Sequence, residues 1–141
     1  MKGDEQARFR RVNEALVKAL PELRSRYEEE TEAWGEEMGP HVIYADVLNP
    51  YLTELLQSPG DPRTSAALSR VFAFLETLAE DADPEAANVA TTTVAEHLES
   101  EPELLDRARP FMAPSMAAAT RKRLSYRVPK RLQADRRLAD D

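Results

Sequence analysis

Between His41 and Met112 the chain is a series of amphipathic segments cut at three Asn-Pro or Asp-Pro steps. Asn49-Pro50, Asp61-Pro62 and Asp83-Pro84 each place a side chain able to cap a helix before a proline suited to the first helical turn. A chain punctuated in this way has few options besides a stack of short helices. Residues 61–100 read as helix, tight turn, helix, the unit from which helical repeat proteins are assembled.

The periodicity sets the elements. Residues 4–20 carry Phe9, Val12, Leu16, Ala19 and Leu20 on one helical face. Pro21 opens a second helix expected to run to about Met38, with an apolar line of Leu23, Tyr27, Trp34 and Met38 and an end at Gly39-Pro40. Segment 41–57 has the stripe Tyr44, Val47, Leu48, Tyr51, Leu52, Leu55 and Leu56. Pro50 lies inside that stripe, and a restart or sharp kink with Asn49 as cap is preferred over a mild bend. Further helices are expected over 62–80, 84–99, about 102–109, and from Pro114 through Leu124. Those over 62–80 and 84–99 are expected to pack antiparallel, because only a few residues join them. No segment reads as a strand. The expected fold is all-α, with six to seven helices in an antiparallel hairpin stack or small bundle. One domain is expected over 1–124, with a basic tail or terminal helix over 125–141.

Composition removes whole classes of chemistry. The chain has no cysteine, which excludes disulfides, thiol catalysis and cysteine-based metal sites. Its four glycines never cluster into a phosphate-binding loop. No strained nucleophile turn is visible, and no run is long and apolar enough to span a bilayer. No cofactor signature is present, and no catalytic set is expected. The polar N-terminus and the lack of cysteine fit a cytoplasmic location. Nothing in the pattern sets an oligomeric state.

The formal net charge of −7 conceals two opposite regions. Residues 121–141 hold eight basic and three acidic side chains, a net of +5, so the rest of the chain is −12. The acidic body disfavours nucleic acid and favours a basic protein partner. Its densest part is the second helix, where Tyr27, Glu28, Glu29, Glu30, Glu32 and Trp34 are the candidate partner-binding residues. The plainer reading of those acids is a solvated helix face. In the tail, Arg121, Lys122, Arg123, Arg127, Lys130 and Arg131 are candidate phosphate-binding residues. Contact with an anionic membrane surface, or folding back onto the acidic body, are the other readings, and folding back is preferred.

His41 and His97 are the two histidines. A metal site at His97 would want a second strong ligand one turn away, and Thr93 and Val94 are poor ligands. A buried, hydrogen-bonded imidazole is therefore expected at His97, and a helix-start residue at His41. A distant pairing of His41 with Asp46 or Glu96 is the minor alternative.

Two resemblances follow from these residues. Leu68, Phe72, Leu75 and Leu78, then Asp83-Pro84, then Val89, Val94 and Leu98 resemble a HEAT-type hairpin. Residues 41–56 (HVIYADVLNPYLTELL), 70–79 (RVFAFLETLA) and 93–98 (TVAEHL), followed by a helix near Met112-Ala113-Pro114, resemble a group of small acidic helical bacterial proteins. That second resemblance covers roughly Gly39 to Leu124. It implies a role as the immunity partner of a secreted or contact-delivered toxin, and it brings no catalytic residues. An acidic helical face would then cover a basic toxin domain. The alternative function is a nucleic-acid-associated adaptor that works through the basic tail.

Overall fold

The computed structural model describes residues 2–120, which form helices and turns with no strand among them. Helix α1 is Lys2–Ala19. A 3-10 turn over Pro21–Leu23 leads into α2, Arg24–Trp34. Helix α3 covers residues 40–56, α4 is Pro62–Ala79, α5 covers residues 84–99, and α6 is Pro102–Ala108 with a 3-10 extension over Arg109–Phe111. Residues 114–120 form the described part of α7.

The acidic caps act as the sequence predicts. Asp61 Oδ1 accepts the amide of Arg63 at 2.9 Å and Asp83 Oδ1 accepts that of Glu85 at 3.0 Å, each across a proline at the first helical position. Asp81 Oδ1 also accepts the amide of Asp83 at 2.8 Å, which tightens the turn between α4 and α5. The two helices pack against each other across that turn.

Two expectations are corrected. Helix α2 stops at Gly35 rather than Met38, because Gly35 adopts φ +79° and turns its amide back to the carbonyls of Thr31 and Glu32. Pro50 does not restart α3. Asn49 has helical backbone angles (φ −59°, ψ −42°) and is buried within the helix rather than capping it. The helix passes through Pro50 by widening just before it. Residues Tyr44–Leu48 form a π turn in which the amide of Asn49 bonds the carbonyl of Tyr44, five residues back. In an ordinary α-helix the proline ring would strike the carbonyl four residues back and leave it without a donor. The extra residue in the turn alters that register.

Helix α5 contains a second π turn, Val89–Val94. Its sequence, VATTTV, is crowded with β-branched side chains, and hydroxyls compete for backbone acceptors. Thr91 Oγ1 donates to the carbonyl of Ala87 at 3.1 Å. The two π turns pack against one another at the crossing of α3 and α5.

One core joins the layers. Leu16 and Leu20 of α1, Leu48 and Leu52 of α3, Phe72 and Leu75 of α4, and Val89 and Leu98 of α5 belong to a single buried cluster. Tyr44 is buried within it and donates its hydroxyl to the carbonyl of Val12 at 2.8 Å. Phe111 stacks on Phe72, with ring centroids 6.3 Å apart, and brings the end of α6 onto the core. Among the described residues no helix is long and apolar enough to cross a membrane.

Helix α7 is held by a side chain from another helix. The carboxylate of Glu76 accepts the amides of Ser115 at 2.7 Å and Met116 at 3.1 Å, donors that a helix start otherwise leaves unmet. Burial raises the Glu76 pKa, but these two bonds outweigh it and leave it below the usual carboxylate value. The native state therefore binds this proton less tightly than the unfolded chain. Stability from Glu76 is fully present above the ordinary value of 4.5 and is lost as pH falls through the lowered one. Glu76→Gln is expected to cost about 1 kcal/mol at neutral pH, as loss of a capping group does. Urea titrations at a series of pH values should show that deficit closing toward strong acid.

Candidate functional site

Helix α2 carries the densest run of acids in the chain, and its own cations are already engaged. Arg24 pairs with Glu14 of α1 at 3.0 Å, and the two terminal guanidinium nitrogens of Arg26 reach the carboxylate of Glu54 on α3 at 3.2 and 3.3 Å. Glu28, Glu29 and Glu32 are exposed, and Glu29 and Glu32 pair with no cation among the described residues.

The six residues read from the sequence as one docking face do not share one face. Successive residues turn about 100° around a helix, so only those four apart stand above one another. Glu28 and Glu32 form one line, Glu29 stands on the next, and Glu30 and Trp34 form a third. Tyr27 leaves the surface altogether, and its place in that face is corrected here: it is buried, and its hydroxyl donates to the carboxylate of Glu37. Burial first, and Glu37 second, push the Tyr27 hydroxyl pKa far up.

The line of Glu30 and Trp34 has the distinctive chemistry. Trp34 is 52% exposed, the exposed large apolar side chain among the described residues. Its indole Nε1 donates to Glu30 Oε2 at 2.9 Å, which fixes the ring beside the carboxylate. Across the helix pair, Asp46 of α3 brings a second carboxylate to Glu30. The Asp46 contact, helped by burial and opposed by the Trp34 bond, raises the Glu30 pKa. An exposed aromatic ring beside two repelling carboxylates is suited to receive a cation. Asp46 could not be assigned to this group from sequence, because it sits among the apolar positions of α3 and meets Glu30 only once α2 and α3 have packed.

Behind this edge lies a buried polar cluster that sequence reasoning also missed. Glu37 lies within the stretch expected to continue the second helix to Met38, yet it is only 6% exposed. It accepts from Asn13 Nδ2 at 2.8 Å and from the Tyr27 hydroxyl, and it faces Arg10 Nε at 3.4 Å. The same Asn13 nitrogen donates to the carbonyl of Met38 at 2.8 Å. Only the premature stop at Gly35 turns Glu37 inward.

The histidines meet threonines. His97 is half-buried, with Nε2 2.6 Å from Thr53 Oγ1, and His41 Nδ1 lies 2.5 Å from Thr93 Oγ1. The partner of His41 Nδ1 is thus Thr93. Among the described residues no group of three His, Asp or Glu is arranged to hold a metal. Arg121, Lys122, Arg123, Arg127, Lys130 and Arg131, with the tail that begins at 125, lie outside the described residues.

A family described as a domain of unknown function, DUF7674, matches residues 13–127, and the chain belongs to that family. No curated protein and no solved structure matches the chain.

The two carboxylates Glu30 and Glu37 should behave oppositely when neutralised or removed. Glu30→Gln relieves a like-charge contact and is expected to leave stability unchanged or raise it by about 0.2–0.5 kcal/mol at neutral pH. Because the Glu30 pKa is raised by the fold, that gain should shrink as the pH falls and the parent carboxylate takes up its proton. Glu37→Ala strands Asn13 and Tyr27 and should cost about 1–3 kcal/mol. Urea midpoints of the two variants check both statements.

Proposed function

We propose that the chain is a non-catalytic protein-binding domain, and that it docks a basic partner on the edge of α2 formed by Trp34 and Glu30 together with Asp46 of α3. The observation that carries this reading is an exposed tryptophan whose indole is bonded to Glu30, a carboxylate crowded by the neighbouring Asp46. Exposing a large aromatic ring and crowding two like charges both cost stability. A lysine or arginine side chain from a partner would relieve both. It would neutralise the carboxylates and lie against the indole ring. The surrounding excess of acid, −12 over residues 1–120, would speed the encounter with a positively charged surface.

The sharper form of the proposal is an immunity or inhibitor protein of bacterial type that covers the basic active surface of a toxin domain. The resemblance of residues 39–124 to such proteins supports it, as does the acidic body. The helical hairpin of α4 and α5, read as HEAT-like, would serve in this role as the rigid backing on which α2 and α3 are presented. A second reading, a nucleic-acid adaptor working through residues 121–137, is favoured by their clustered positive charge. It predicts a strongly salt-dependent affinity for RNA or DNA that disappears when residues 121–141 are deleted.

Trp34 is the single tryptophan of the chain, so its fluorescence reports on this edge alone. Titration with a short arginine-rich peptide is expected to give a saturable change in emission that weakens with salt. The Glu30→Gln/Asp46→Asn double variant should lower the affinity about tenfold or more, in the range of a lost hot-spot contact. Glu28→Gln/Glu32→Gln, which removes the same charge from another line of α2, should lower it far less. Equal losses in the two double variants would reduce the edge to a general acidic surface.

A further inference from the structure

We propose that the crossing of α3 and α5 is an acid-sensitive hinge, in which the two histidine–threonine contacts hold the facing π turns together and proton uptake by His97 loosens them while the rest of the core stays packed. Both histidines of the chain lie at this one crossing, and they bridge it reciprocally. His41 of α3 reaches Thr93 of α5, and His97 of α5 reaches Thr53 of α3. Each helix thus gives one imidazole and accepts one.

The backbone at this place is poorly suited to holding itself together. A π turn replaces the regular hydrogen bonds of an α-helix with longer-range ones and is stable only where its surroundings hold it. Here two such turns, Tyr44–Leu48 and Val89–Val94, pack against each other, and the imidazole–hydroxyl contacts flank them. A region held by side-chain bonds across irregular backbone is a natural unit of local opening.

His97 is the sensitive contact. A neutral ring at Nε2 can accept the Thr53 hydroxyl proton, whereas an imidazolium cannot and would force that hydroxyl to turn round. The groups around the ring give limited help to a positive charge. From α3 it meets the Thr53 hydroxyl and the carbonyl of Asn49, neither of them charged. From the turn into α6 it feels the carboxylate of Glu101. On α6, Arg107 is committed to Glu103 and to the carbonyl of Leu56. On α4, Arg70 is committed to Glu22 and Glu76 to the start of α7. Burial lowers the His97 pKa and outweighs the opposing pull of Glu101 and the Asn49 carbonyl. The native state then binds this proton less tightly than the unfolded chain. The contribution of His97 is complete above the ordinary histidine value of 6.5 and is lost as pH falls through the lowered one.

Amide hydrogen exchange of the full chain at pH 7.5 and pH 5, corrected for intrinsic rates, tests the proposal. Protection in residues 44–53 and 89–97 is expected to fall several-fold at pH 5, while residues 64–78 keep theirs. His97→Gln should remove most of that pH response, and His41→Gln should retain it. An unchanged response in His97→Gln, or a loss spread evenly over all helices, would overturn the hinge. Should His97→Gln fail to fold, the imidazole proton resonances of the parent chain decide the matter. Opening must then follow the titration of His97, and opening that tracks the carboxylate range instead would overturn the proposal.

Discussion

The buried carboxylate of Glu37 is the constraint on which the rest of this architecture depends. A carboxylate taken out of water must be met by donors or it destabilises the fold by several kcal/mol. Here it is met by Asn13 from α1, by the Tyr27 hydroxyl from α2 and, more distantly, by Arg10. Those donors fix where the chain goes after α2. Gly35 has to break the helix in a left-handed conformation so that Glu37 can turn inward, and Asn13 then holds the carbonyl of Met38. Gly39 passes the ring of Phe9, and Pro40 opens α3. Trp34, the last residue of α2, is left outside the core by this sequence of events.

The candidate site is the visible consequence. Because α2 ends early and α3 starts at once, Glu30 and Asp46 come face to face, and Trp34 is pinned beside them rather than buried. Local stability would be better served by a cation at either acidic position, yet the nearby cations are engaged elsewhere. Arg24 and Arg26 on the same helix are directed to Glu14 and Glu54. Positions where a fold tolerates avoidable repulsion are where binding surfaces are sought, since a complementary partner removes the penalty.

Much of the fold could be read from sequence because it rests on local chemistry. The caps at Asp61 and Asp83 and the apolar periods of α4 and α5 depend on neighbours within a few residues. The misreadings share a different cause. Pro50 looked like a break because a π turn has no sequence rule as sharp as the rule for proline. Met38 looked helical because the acidic run continued past Gly35, and a single glycine was outweighed by composition. Glu37, Asp46 and Thr53 have roles created by helices far apart in sequence, which one-dimensional patterns do not contain. Tyr27 and Trp34 were placed on one apolar line, and only the packing separates a core tyrosine from a surface tryptophan.

The most direct test of the central claim is the map of amide and indole proton resonances as a basic partner is added. The arginine-rich peptide serves as the ligand. The account predicts that the indole Nε1–H of Trp34 and the amides of residues 30–34 and 44–46 shift first and furthest. Shifts centred on the Glu28 and Glu32 line, or scattered over the acidic surface with Trp34 unmoved, would contradict it.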